Sequence, residues 1–238
     1  MADSDARGRP AESRRVSGAV RSDPVNFVAH MVVAHRLAET PSTALLLGAA
    51  APDLARMARV PVATTGSADH LAGVATHHRT DTVFHDLAWF RDHTRRLVGE
   101  LAGRGLRRGP ARGAAHVLIE LLLDGALLGD PEHAATFARP WEAMSAPDHD
   151  ALAVVETAHH DQWLEFLGQL TTRLDPAAYG DPTYAADRTA NTLARRPRLA
   201  MSADEGAILR EVAAALQPQI AAETDQVLAV TAGAVSAS

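Results

Sequence analysis

The chain of 238 residues contains no cysteine and no lysine. Without cysteine it has no disulfide bond, no thiolate nucleophile and no Cys-ligated zinc or iron–sulfur site, so any metal must be bound by His, Asp and Glu. The lack of cysteine also fits a reducing compartment, and we expect the protein to be cytoplasmic. All 23 basic residues are arginine, which we attribute to a GC-rich coding sequence rather than to function.

Signatures of several protein classes are also missing. No uninterrupted apolar run reaches the roughly 18 residues of a membrane helix. The net charge of −6 argues against a general binder of nucleic acid or anionic membranes. Arg14 and Arg15 resemble the start of a twin-arginine signal, but no apolar segment follows, so we expect no export. Phosphate loops, nucleophile elbows and dinucleotide fingerprints are absent.

Apolar residues are spaced as in helices along most of the chain. Residues 1–24 are small, polar and charged, which predicts a disordered tail. From residue 25 onward apolar residues recur every three or four positions, and no segment alternates like a strand. The sequence therefore predicts a single all-α domain over residues 25–238, a bundle of roughly eight helices.

Glycine, proline and arginine suggest where some of these helices end. Pro52 predicts an irregular end to the second helix. Residues 68–103 would form one long helix, or two helices joined near Gly73. The arginine- and glycine-rich residues 104–113 predict a basic turn. A further helix would extend from residue 147 to about 174.

The segment HHRTDTVFHD, residues 77–86, concentrates potential metal ligands. His77, Asp81 and His85 are spaced i, i+4, i+8 and share one helix face. Imidazole and carboxylate groups in this arrangement suit Zn²⁺, Mn²⁺ or Fe²⁺. An isolated stripe of this type is more often a solvated surface. Ala75, Val83, Leu87 and Phe90 indicate that the helix also has an apolar face, so the spacing leaves both interpretations open.

The segment AAHVLIELLLDGALL repeats the spacing with His116, Glu120 and Asp124. Every residue between these three is Val, Leu or Ile, so their side chains would enter an apolar interior. An unpaired carboxylate there costs several kcal/mol or takes up a proton. A bound metal, or an arginine partner, would remove that cost.

Two more residues are candidates on weaker grounds. His30 lies among apolar residues in NFVAHMVVAH, where a hydrogen-bonded core histidine is the commoner interpretation. Asp53 follows a run of small residues and Pro52, where it would either cap a short helix or ligate a metal. The arginines of residues 195–198 would bind a phosphate or, more commonly, remain on the surface.

Several segments, in the same order, resemble those of the acyl carrier protein phosphodiesterase family, a group distantly akin to the HD-type metal phosphohydrolases. NFVAHMVVAH is similar to a family start close to NFLAHLHLAH. LLLGAAAPDLAR is similar to a small-residue stretch ending in aspartate, and AGVATHHRTDTVFHD to AG followed by a HRRID…TD pattern. DQWLEFL and ARRPRL resemble family QWL and SRRPRL segments, so the similarity covers roughly residues 25–216.

The resemblance implies an HD-like, all-α, metal-dependent enzyme. Its cofactor would be a divalent metal, with Mn²⁺ favoured and Zn²⁺ or Fe²⁺ as alternatives. Its reaction would be hydrolysis of the phosphodiester that joins 4′-phosphopantetheine to a serine of an acidic acyl carrier protein. Carried over position by position, it implies metal-site roles for His30, Asp53, His77 and Asp81.

The chain departs from the family pattern at two places. His85 stands where the HRRID…TD pattern ends in aspartate. A DVMWDH-like family segment aligns with HVLIEL, so His116 and Glu120 replace acids and Leu121 replaces a histidine. The residues at 85, 116 and 120 can still ligate a metal, which makes a metal site better supported than the family's substrate.

We therefore expect a metal-dependent phosphodiester hydrolase. Its metal ligands would be drawn from His30, Asp53, His77, Asp81, His85, His116, Glu120 and Asp124. A carboxylate such as Asp81 or Glu120, or an imidazole, would take the proton. Arg79 or the arginines of residues 195–198 would hold a phosphate or the acidic carrier protein. One alternative is a helical-bundle iron oxygenase, although the paired Glu-x-x-His elements of such sites are absent. Another is a non-catalytic binding protein that retains the fold.

Overall fold

The computed structural model describes residues 27–237, so the tail predicted over residues 1–24 lies outside it. Ten α-helices make up most of the described chain. They are α1 Phe27–Leu37, α2 Thr43–Ala58, α3 Ala68–Asp86, α4 Ala88–Gly103, α5 Arg108–Gly129, α6 Pro131–Ser145, α7 His149–Leu152, α8 His160–Arg173, α9 Pro182–Ala194 and α10 Ala203–Ala237. Within residues 27–237 the only β-type pairing is one isolated bridge between Val62 and Val155. The predicted all-α class is confirmed, with ten helices instead of roughly eight.

One continuous core joins these helices. Its apolar side chains come from α1, α2 and α5 above all, and α5 is buried along most of its length. Around α5 pack α1, α4, α6, α9 and α10. The nearly unbroken apolar run VLIELLLDGALL fits this central position, because an α-helix that is apolar on most sides must be enclosed by others. None of the described helices is both long and apolar enough to cross a membrane.

Some predicted helix limits are wrong. The break between α3 and α4 lies at Leu87, whose extended backbone ends one helix and begins the next, and not at Gly73. α2 continues through Pro52 to Ala58. Proline removes one backbone hydrogen bond, but burial of the surrounding residues 46–55 outweighs that loss.

Two further segments also differ from the prediction. The expected basic turn over 104–113 is helical from Arg108 onward. The helix expected over 147–174 is split, because residues 153–159 between α7 and α8 leave the α-helical conformation.

α2 and α3 pack backbone against backbone at two glycines. A Cβ atom at Gly48 would lie 2.3 Å from the carbonyl oxygen of His70, and one at Gly73 would lie 2.2 Å from that of Leu45. Since non-bonded atoms do not approach so closely, only glycine fits at either position. This contact sets the spacing of the two helices just before His77 in α3.

The N-termini of α5 and α10 are joined by Glu205. Glu205 and Ser202 form a capping box, in which the Ser202 N–H donates to Glu205 Oε2 and the Glu205 N–H donates to Ser202 Oγ. Arg107, which precedes α5, donates to the same carboxylate from its backbone N–H and from its guanidinium, at 2.8–3.0 Å. The hydrogen bond from the Arg107 side chain lowers the pKa of Glu205 to about 2.

Substituting Gly73 by alanine should separate α2 from α3. We expect Gly73→Ala to lower the free energy of unfolding by roughly 1–3 kcal/mol or more, because the new methyl group would overlap the backbone of α2. Gly99→Ala in α4 is the matched control, since a Cβ there would have no described atom within 4 Å apart from its chain neighbours and the backbone of its own helix. The control should gain up to about 1 kcal/mol from helix propensity. Urea denaturation measures the free energy of unfolding of both variants. Equal effects of the two substitutions would contradict the close packing of α2 and α3 at Gly73.

Glu205 should contribute acid-sensitive stability. Its pKa falls on folding from 4.5 to about 2, so its contribution is complete above about pH 4.5 and disappears as the pH falls through about 2. We expect Glu205→Gln to cost about 1–2 kcal/mol at neutral pH, and less as the pH falls across this window. Glu211→Gln, at an exposed carboxylate 3.3 Å from Arg104, should have little effect. A Glu205→Gln deficit that does not change with pH would refute this assignment.

Candidate metal centre

Three buried side chains from three helices meet in the core. His30 from α1, Asp53 from α2 and His77 from α3 are each less than 5 % exposed. His30 Nε2 lies 3.9 Å from Asp53 Oδ2, and His77 Nε2 lies 3.8 Å from Asp53 Oδ1. The two imidazole rings are 4.0 Å apart between centroids. We call these three residues the inner group.

The orientation of His77 is fixed by the backbone of α2. Its Nδ1 donates a hydrogen bond of 2.9 Å to the carbonyl oxygen of Ala49. The other ring nitrogen, Nε2, then carries the lone pair and faces Asp53. A metal-binding histidine is commonly oriented in this way by a backbone carbonyl.

Burial keeps both histidines of the inner group neutral. It lowers the pKa of His77 to about 4. It also lowers the pKa of His30 well below the ordinary value, and the neighbouring His77 adds to that effect. Neutral imidazole is the form that binds metal ions.

The inner group has unsatisfied polar atoms. Within the described chain, His30 Nδ1 and Asp53 Oδ2 are buried without a hydrogen-bond partner. Burial raises the pKa of Asp53 well above its ordinary value, and Glu120 contributes to the rise. An unpaired buried polar atom costs about 1–3 kcal/mol. A cation between these side chains would remove the cost for the Asp53 carboxylate.

The distances within the inner group suit a shared ion better than direct hydrogen bonds. At 3.8 and 3.9 Å the His–Asp contacts are too long for hydrogen bonds. Two ligand atoms that are each about 2.1 Å from one ion lie at most about 4.2 Å apart. One ligand atom from each of the three residues lies within 4.8 Å of the others, so small side-chain shifts would complete the coordination.

A second set of three ligands lies nearer the surface. His85 from α3 and His116 from α5 direct Nε2 toward Glu120 Oε1, at 3.7 and 3.0 Å. Their side chains are 30 % and 29 % exposed, whereas that of Glu120 is 1 % exposed. The two rings stack with centroids 4.8 Å apart, and Phe90 packs edge-on against both. We call His85, His116 and Glu120 the outer group, and it too can hold a metal ion.

Asp81 links the inner and outer groups. Its side chain is 52 % exposed, and its Oδ1 lies 3.0 Å from His85 Nε2. Partial burial opposes ionisation, but the hydrogen bond from His85 lowers the pKa of Asp81 to about 2. Asp81 is therefore a carboxylate at neutral pH, within electrostatic range of both groups.

Besides Asp81, two predicted site residues lie outside both groups. Asp124 is fully buried and accepts hydrogen bonds from the backbone N–H groups of Val28 and Ala29, at 3.2 and 2.9 Å. It satisfies the free N–H groups in the first turn of α1, as a capping residue does. Arg79 is exposed, and its guanidinium donates to Thr76 on its own helix at 3.4 Å.

The group that orients His77 has no signature in the sequence. The Ala49 carbonyl cannot be recognised as a partner of His77 from residue types, because every residue has a carbonyl group. An indirect sign was present: the small-residue run at 48–51 precedes Asp53 by less than two turns, and Gly73 precedes His77 by four residues. Small residues at such positions favour close helix packing.

Comparison with known proteins gives no match, whether against family models, curated proteins or solved structures. The similarity to the acyl carrier protein phosphodiesterases thus depends on the short segments quoted above. Membership of that family stays a prediction.

Asp124→Asn separates a capping role from a ligand role. An asparagine has one acceptor oxygen in place of two, so one α1 N–H group would face an amide NH₂. We expect a loss of roughly 1–3 kcal/mol in the free energy of unfolding, with unchanged metal content in the folded protein. Thermal melting and elemental analysis after gel filtration measure the two quantities. Loss of metal from folded Asp124→Asn would contradict the capping role.

Proposed function

We propose that the protein is a metal-dependent phosphodiester hydrolase whose essential cation binds the inner group. The observation that carries the proposal is the convergence of His30, Asp53 and His77 in the core with their ligand atoms facing one another. Such an arrangement is destabilising in the absence of a ligand, because it leaves the buried Asp53 Oδ2 unpaired. A purely structural cluster would be expected to pair that oxygen.

The donor set suits catalysis more than structural metal binding. Structural zinc sites use four protein ligands, whereas catalytic sites commonly use three and leave a position open for water or substrate. A divalent cation bound here would lower the pKa of a water ligand toward about 7 and neutralise charge on the phosphoryl oxygens. Nitrogen and oxygen donors suit Mn²⁺, Fe²⁺ or Zn²⁺. We favour Mn²⁺ on the resemblance to the phosphodiesterase family.

Asp81 is placed to move the proton. Its carboxylate is half-exposed, ionised and close to both groups. It can accept the proton that an attacking water loses as the new oxygen–phosphorus bond forms and the bond from phosphorus to the leaving oxygen breaks. The leaving alkoxide takes up a proton from solvent. The neighbouring His85 would stabilise Asp81 through their 3.0 Å contact. Because the inner group is buried, a substrate would approach from the side of Asp81 and His85.

The surface beside the outer group suits an anionic substrate. Arg112 and Arg108 are exposed on α5, one and two turns before His116. Residues four apart in a helix lie on the same face, so positive charge borders the approach to the site. This charge and the sequence resemblance together support a phosphodiester on an acidic acyl carrier protein as the substrate. Arg79 is a less suitable phosphate ligand than Arg112, since its guanidinium turns back to Thr76.

Asp53→Asn is the most direct test of the inner group. The substitution keeps the size of the side chain but replaces the carboxylate with a neutral amide. We expect the ion retained after gel filtration to be lost, and hydrolysis of bis(4-nitrophenyl) phosphate by Mn²⁺-supplemented enzyme to fall about 100-fold or more. Hydrolysis of a phosphopantetheine-bearing carrier protein should fall in parallel.

Two further variants complete this test. Asp81→Asn should lose hydrolysis, and Asp92→Asn, at an exposed acid of α4 paired with Arg95, should retain both metal and hydrolysis. Full hydrolysis by Asp53→Asn would refute the proposal. So would a wild-type protein that binds no divalent cation after reconstitution.

A further inference from the structure

We infer that the outer group, His85, His116 and Glu120, binds a second divalent cation that exchanges with solvent faster than the cation of the inner group. The inference rests on the proposed function for the role of that ion in hydrolysis. Its binding stands on the geometry of the outer group alone.

The three donor side chains of the outer group converge on one point. His85 and His116 come from different helices, yet both present Nε2 to the same oxygen of Glu120, at 3.7 and 3.0 Å. Phe90 touches both rings edge-on and restricts their rotation. Two imidazoles and a carboxylate, held by packing, form a common ligand set for Mn²⁺, Fe²⁺ and Zn²⁺.

An ion pair alone does not account for this arrangement. A protonated His116 next to Glu120 would satisfy Oε1 of the carboxylate. Within the described chain, Glu120 Oε2 is still buried without a partner. Glu120 lies in the apolar centre of α5, where a half-satisfied carboxylate is costly. A cation bound to Glu120 would pair the carboxylate and remove this cost.

Exposure distinguishes the two sites. The histidines of the outer group are about 30 % exposed, while those of the inner group are nearly inaccessible. Asp81 Oδ1, 3.0 Å from His85 Nε2, supplies one more oxygen at the open side of the outer group. Water and chelators therefore reach the outer ion first. In hydrolytic sites with two metals, the ions stabilise the attacking and leaving oxygens.

The test counts ions and measures their exchange in the full chain. Protein stripped of metal is dialysed against Mn²⁺ and, separately, Zn²⁺, and the bound metal is counted by elemental analysis. We expect two ions per chain. On addition of a chelator, one ion should leave in a fast phase and the other at least about tenfold more slowly.

Variants assign the two phases. His116→Ala and His85→Ala should each bind one ion per chain and lack the fast phase, while Asp53→Asn should lack the slow phase. Either histidine variant suffices if the other fails to fold, as judged by circular dichroism. His149→Ala is the control, because that histidine is 94 % exposed and distant in sequence from both groups.

The possible outcomes separate this inference from the proposed function. One ion per wild-type chain that the folded histidine variants retain overturns the inference, as does a folded His116→Ala or His85→Ala protein that keeps two ions or loses both. One ion that the histidine variants lose would support the outer site and overturn the inner one. Two ions with the expected phases, but no hydrolysis of any diester, would support the second site and overturn the proposed function.

Discussion

The candidate centre depends on the backbone contact between α2 and α3. Gly48 and Gly73 allow the two helices to approach until no Cβ atom would fit between them. At this separation the Ala49 carbonyl reaches His77 Nδ1, and His77 Nε2 faces Asp53, one turn further along α2. α1 then adds His30, whose ring lies 4.0 Å from that of His77 between centroids. A bulkier residue at either glycine would therefore disturb both the packing and the ligand geometry.

The central helix α5 serves the site and the fold at once. Glu120 belongs to the outer group, and Asp124, one turn later, holds the first turn of α1 through two backbone N–H groups. The helix that Asp124 caps also carries His30, a residue of the inner group. Two acids in the same apolar helix thus have different uses, and only their contacts distinguish them. The cost of burying both is offset by backbone donors in one case and, in our proposal, by a cation in the other.

Sequence patterns predicted the helices and the candidate metal ligands. They did not predict which side chains of different helices contact one another. The helical spacing of apolar residues predicted an all-α fold, and the i, i+4, i+8 spacing placed His77, Asp81 and His85 on one face of α3. Spacing within one helix could not show that His77 turns into the core while His85 meets α5. The wrong prediction at Pro52 has the same cause. Packing against other helices maintains α2 through a residue that normally ends a helix. Contacts between helices are set by tertiary packing, which local spacing does not encode.

The most direct measurement of the central claim is an anomalous diffraction map from crystals grown with Mn²⁺. The account predicts a peak about 2.0–2.2 Å from His30 Nε2, His77 Nε2 and a carboxylate oxygen of Asp53, at the distances usual for such ligands. It also predicts that His77 Nδ1 remains hydrogen-bonded to the Ala49 carbonyl. A map with no peak among these three side chains, at Mn²⁺ concentrations that saturate the protein in solution, would contradict it.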